Sequence, residues 1–185
     1  MNWREKLEEY EQDKNWESAL LLLQKAIRED LYDVEAYIRV IYLLHNILVE
    51  EDYPEGKYEY FTRLLKEYFN ESYEKFYNNS EYLFFIGKIL YISEWYFGIN
   101  DDLKPIEERQ AFHMQKKAFE KEPDNILFEW AYLFSLNDKR ASKLAEEIIL
   151  YNQNRIDWLK SKGFPGNYII EALQQSSVAD GSVSD

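Results

Sequence analysis

Apolar residues recur three and four positions apart along almost the whole chain, the spacing that lines one face of an α-helix. Trp3, Leu7 and Tyr10 begin the pattern, and Ala19, Leu20, Leu23, Ala26 and Ile27 widen it into a broad stripe. The periodicity predicts further helices over Val34–Val49, Tyr58–Tyr77, Tyr82–Phe97, Ile106–Phe119, Ile126–Leu136 and Ala141–Leu159, with a last short one over Asn167–Gln174. Two-residue alternation with hairpin turn signals is missing. The one Asp-Gly pair, Asp180-Gly181, falls in the final stretch. The expected fold class is all-α.

Turn chemistry divides the pattern. Asp13-Lys14-Asn15 precedes the second helix, with Asp13 or Asn15 able to cap it. Asp52-Tyr53-Pro54-Glu55-Gly56 reads as a loop, as does Asn78-Asn79-Ser80, where Ser80 is the candidate cap. Gly98–Asp102 and Glu122–Asn125 are further breaks. Gly163-Phe164-Pro165-Gly166 closes the long late helix, with Gly163 placed as a left-handed cap. One helical domain is expected over residues 1–175, followed by a disordered tail over residues 176–185, which are small and polar.

Two stretches resemble each other. Asn15–Asp30 carries Ala19 and then Lys25-Ala26-Ile27, and Glu108–Pro123 carries Ala111 and then Lys117-Ala118-Phe119. Two alanines seven residues apart share one helix face and let a neighbouring helix approach closely. The pattern resembles the second helix of a tetratricopeptide repeat (TPR). Ala19 and Ala26, and again Ala111 and Ala118, stand at that family's small-residue positions. Pro123 stands at its closing proline, which is Leu31 in the first copy. Leu7 matches a first-helix position, Gly87 fits a small-residue slot among Leu83, Ile86 and Leu90, and Trp130-Ala131 falls one residue out of phase. The copies lie 92 residues apart, which is not a multiple of the 34-residue TPR period. The resemblance implies stacked antiparallel helix pairs with irregular spacing in the middle. An irregular helical bundle is the alternative.

Charge narrows the function. Among 185 residues, 35 are acidic and 22 basic, a net of −13. Residues 1–60 alone carry −8. Such a balance argues against nucleic acid, whose phosphates need clustered Lys and Arg, and against an anionic membrane surface. It would steer in a basic protein. No run of 18 apolar residues exists for a membrane span, and the opening Met1–Lys6 is not that of a secretory signal, so a cytoplasmic location is expected. Cysteine is absent, which excludes thiolate zinc sites, disulfides and a Cys nucleophile.

Catalytic constellations are poor. His45 and His113 are the only histidines and neither sits in a metal-ligand spacing. His45 reads as a polar groove position or as a hydrogen-bonded core residue. The six glycines build no phosphate loop. Neighbouring acidic pairs such as Glu146-Glu147 point about 100° apart on a helix and do not converge. No catalytic residue, metal or cofactor is expected, and the chain is not expected to be an enzyme.

Binding features are stronger. Glu50, Glu51, Asp52 and Glu55 crowd beside Tyr53, and Asp33 and Glu35 stand at the preceding turn. These flank opposite ends of the helix between them. Acids with rings nearby suit Lys and Arg. The TPR pattern directs Glu35, Ile38, Tyr42 and His45, and likewise Glu81, Phe84, Lys88 and Tyr91, toward a concave binding surface. The partner-binding residues expected are therefore Asp33, Glu35, Tyr42, Glu50, Glu51, Asp52, Tyr53 and Glu55. In size, acidity and helical character the chain resembles bacterial immunity proteins, including those of contact-dependent growth inhibition. That implies a tight stoichiometric complex with a basic toxin, for instance a nuclease. A TPR-type adaptor binding a peptide or assembling a complex is the alternative.

Overall fold

A computed structural model describes residues 2–101 and 103–178. Among them the chain forms ten α-helices and no strand. The described residues divide into two compact units. The first runs to Tyr77 and includes Ser93–Asn100; the second comprises Asn78–Ile92 and the described residues from Asp101 onward. None of the helices is long and apolar enough to cross a membrane.

In the first unit, α1 (Trp3–Gln12), α2 (Trp16–Glu29), α3 (Val34–Glu50) and α4 (Glu55–Phe76) pack in sequence, each on the next. Contacts between their ends show that they run alternately up and down. Arg4 at the start of α1 meets Asp33 and Glu35 at the start of α3. Trp16 at the start of α2 donates from its indole N–H to Glu51 at the end of α3, at 2.8 Å. Tyr37 near the start of α3 packs edge-on against Phe76 at the end of α4. Short connections enforce this alternation. Asn15, not Asp13, caps α2, its side chain accepting from the Ser18 N–H at 3.2 Å, while Asp13 ends α1. Ala19 and Ala26 are buried on α2, which packs between α1 and α3. A 3-10 turn, Glu94–Phe97, covers α4 through Phe97 and Phe69.

The second unit contains α5 (Ser80–Ser93, whose last residue belongs to the first unit), α6 (Gln110–Lys121), α7 (Ile126–Ser135), α8 (Arg140–Tyr151), α9 (Gln153–Ser161) and α10 (Phe164–Val178). Asn79 rather than Ser80 caps α5, its side-chain Oδ1 accepting from the Tyr82 N–H at 2.9 Å. Gly87 marks a close approach of α5 and α6: a Cβ there would lie 2.5 Å from Gln115 Nε2 and 3.0 Å from Met114 Cβ.

Three predicted helices are shorter or divided. The run Tyr82–Phe97 turns to 3-10 geometry at Glu94. The run Ile106–Phe119 breaks at Arg109, whose extended backbone (φ −77°, ψ 141°) lets the Asp101 carboxylate accept from the Gln110 N–H and open α6 there. The run Ala141–Leu159 breaks at Asn152 (φ −116°, ψ 60°), separating α8 from α9. Gly163 has the expected left-handed backbone, with φ of 62°. The predicted tail begins inside α10, since Ser176–Val178 are helical; its residues 179–185 lie outside the described residues.

Candidate functional site

Apart from Tyr42, at the middle of α3, the residues singled out for partner binding fall at its two ends. Seventeen residues of helix hold those ends about 25 Å apart, so they are two surfaces of the first unit rather than one.

At the N-terminal end, Asp33 and Glu35 are engaged internally. Asp33 caps α3 by accepting from the Ala36 N–H at 3.1 Å and also meets Arg4 at 3.4 Å. Glu35 lies between two guanidinium groups, 2.9 Å from Arg4 Nε and 3.0 Å from Arg39 Nη2. Both arginines approach the Trp3 ring, at 4.3 and 5.7 Å. Arg39 is only 1% exposed. Nearby, burial pushes the Glu11 carboxyl up to about 7 against the attraction of Arg39. This is a partly buried ionic knot that ties α1 to α3, and it leaves little charge for a partner.

Tyr42 requires a correction. At 1% exposure it is a core residue and presents nothing outward. Ile38 and His45 are likewise buried, as are Phe84 and Lys88 in the second unit. The TPR-derived direction toward a concave surface does not describe these side chains. Helix α3 is apolar nearly all round from Ala36 to Leu48, so it is enclosed on every side. His45 is the hydrogen-bonded core histidine: its Nε2 meets the Ser93 hydroxyl and its ring lies edge-on to Tyr96. Burial holds it down to about 4.

The other end is exposed. Glu50, Asp52 and Glu55 face solvent. Glu51 is partly covered and accepts the Trp16 indole N–H. Tyr53 is half-buried against Phe61, with Lys57 Nζ 5.4 Å from its ring. Alternation of the helices brings two more exposed acids to this end, Asp13 after α1 and Glu17 in the first turn of α2. Lys57 pairs with Glu17 at 2.6 Å, and this contact holds the Glu17 carboxyl below its usual range.

Exposed apolar groups on the same unit escaped the sequence reasoning. Val49 and Tyr58 are well exposed, and Trp95 is 59% exposed. Tyr58 hydrogen-bonds the Tyr96 side chain, and Trp95 packs on the Tyr96 ring at 5.8 Å. Tyr96 in turn rests on His45, one helical turn before Val49. The rings thus form a connected group reaching from the C-terminal part of α3 to the first turn of α4. Sequence periodicity gave no signal for Trp95, which lies inside the run Tyr82–Phe97 that reads as one helix.

Among the described residues, no three His, Asp or Glu side chains converge to hold a metal ion. No protein-family model, no curated protein and no solved structure matches this chain.

Proposed function

We propose that the first unit is a protein-binding module that captures a basic protein, and that the chain acts as a stoichiometric inhibitor of the immunity-protein kind, blocking a toxin domain by occupying it. The observation that carries this reading is the meeting of exposed carboxylates, Glu50, Asp52, Glu55 and Asp13, with exposed rings and aliphatic side chains at one end of the unit. Carboxylates steer a cationic partner and raise its rate of encounter. Trp95, Tyr58 and Val49 supply apolar area that gains from desolvation. Acids also suit the positive ends of α2 and α4, which begin here; that accounts for Glu17 and Glu55 but not for Glu50 and Asp52, which lie at and beyond the end of α3.

Support for TPR-like pairing is local. The pair α1–α2 carries the buried Leu7, Ala19 and Ala26, and α6 carries the buried Ala111 and Ala118. The 22-residue α4 and the irregular segment before α6 accommodate the non-integral spacing between the copies.

The test is direct. Basic toxin domains encoded beside this chain's gene are co-expressed with it and examined by gel filtration and surface plasmon resonance. A one-to-one complex is expected, with association slowed about tenfold by raised salt or by the triple reversal Glu50→Lys, Asp52→Lys and Glu55→Lys. Trp95→Ala is expected to speed dissociation, at a cost of about 2 kcal/mol. Association unchanged by the triple reversal would remove this end of the unit from the interface.

A further inference from the structure

The second unit carries an open cavity of about 730 Å³ that the protein-binding reading leaves unused. That volume lies within the range of pockets for small organic ligands. Tyr91 and Ile92 of α5, Phe134 of α7 and Ala172 of α10 give it a largely apolar wall. Ser142, Tyr168 and Gln175 add a few polar groups.

Lys88 also lines this space. It is 1% exposed, and its Nζ has no hydrogen-bond partner. Three rings surround the nitrogen: Phe134 at 3.2 Å, Trp130 at 4.3 Å and Tyr91 at 5.9 Å from ring centroid to Nζ. Ring faces offset part of the cost of burying an ammonium group but do not accept its protons as a carboxylate would. An ammonium group buried without an acceptor is costly, and one lining an open cavity has a place for the acceptor to come from outside. Two carboxylates share the lining. Asp138 is held by Arg140 at 2.7 Å, and Glu171 is exposed to solvent. Neither bonds Lys88. Lys139, the remaining charged group, is solvent-exposed.

We propose that this cavity is a binding site for a small organic carboxylate with an aromatic or aliphatic body, the carboxylate pairing with Lys88 and the body lying against Tyr91, Phe134 and Ala172. The pairing supplies the missing acceptor, and the apolar wall removes the rest of the ligand from water. Burial alone holds the Lys88 ammonium down to about 7. A bound carboxylate opposes that and draws a proton onto the amine near neutral pH. The exposed Glu171 acts against an anion only weakly, because water screens it.

The full chain is titrated calorimetrically with 4-phenylbutanoate and, separately, with its neutral amide. The acid is expected to bind one-to-one and at least about tenfold more tightly than the amide, the difference a charge-assisted hydrogen bond makes. In buffers of different ionisation enthalpy the acid is expected to show proton uptake. Lys88→Met fills the same space without charge and is expected to fold, since apolar replacement of a buried charge in an apolar box is tolerated. It should bind acid and amide equally. No saturable binding of the acid, equal binding of acid and amide to the native chain, or a preference for the acid that persists in folded Lys88→Met would each overturn the proposal. The acid–amide comparison needs no variant.

Discussion

Two buried titratable groups of the first unit respond to pH in opposite directions, and Glu11→Gln separates them. Burial raises the Glu11 carboxyl from its ordinary value of 4.5 to about 7. Between those pH values the folded chain keeps a proton that the unfolded chain has lost, so Glu11 makes stability fall as pH rises. Burial lowers His45 from 6.5 to about 4. Between those values the unfolded chain holds a proton that the folded chain refuses, so His45 makes stability rise with pH. Each full proton is worth about 1.4 kcal/mol per pH unit, and over roughly pH 4.5 to 6.5 the two effects nearly cancel. Gln at position 11 keeps the size and one acceptor but cannot ionise. At pH 4.5 the variant and the native chain are expected to differ little. By pH 8 the variant is expected to have gained about 2–3 kcal/mol, a figure that allows for the water reaching the outer part of Glu11. The remaining carboxylates are common to both proteins and drop out of the difference. Urea unfolding at a series of pH values measures it, and carbon-13 NMR of the Glu11 carboxyl reads the titration itself. A stability difference that stays constant from pH 4.5 to 8 would refute the assignment of a buried, unpaired carboxyl at Glu11.

Two glycine substitutions give opposite expectations. A Cβ at Gly166 would stand 1.7 Å from the backbone carbonyl oxygen of Leu159, and a backbone oxygen cannot rotate away. Gly166→Ala must therefore force α9 and α10 apart, at a cost of about 3 kcal/mol or more; thermal unfolding matching the native chain would exclude so close an approach. Gly56, in the first turn of α4, has nothing within 4 Å of an added Cβ. Gly56→Ala is expected to raise stability by about 0.5–1 kcal/mol through the lower entropy of the unfolded chain, and a lowered melting temperature would contradict the open space seen there.

The helical period carried most of the fold, because an amphipathic stripe states its partner-facing side whatever the partner is. It failed where the break is set from elsewhere. Asn152 interrupts a run that keeps good helical spacing on both sides, and nothing in Leu150-Tyr151-Asn152-Gln153 announces that two helices rather than one must cover the neighbouring elements. Arg109 stops a helix because Asp101, eight residues earlier, caps the next one. The binding residues were less legible, since a charge pattern does not reveal which acids are already occupied. Asp33 and Glu35 look like Glu50 and Asp52 in sequence, but Arg4 and Arg39 neutralise the first pair.

One class of signal was present and informative. A helix that is apolar on every side is buried on every side, so a polar residue within it is a buried polar residue before any coordinates exist. Arg39 and His45 lie within such a stretch of α3, and Lys88 within Tyr82–Leu90 of α5. Burial of this kind is tolerated when a partner is supplied. Glu35 answers Arg39 and Ser93 answers His45. The ammonium of Lys88 has rings around it and no acceptor. The first pairing lies within α3 and the second joins α3 to Ser93, both inside the first unit. The third residue, Lys88, lines a cavity, and for that reason its missing partner is sought in solution rather than in the chain.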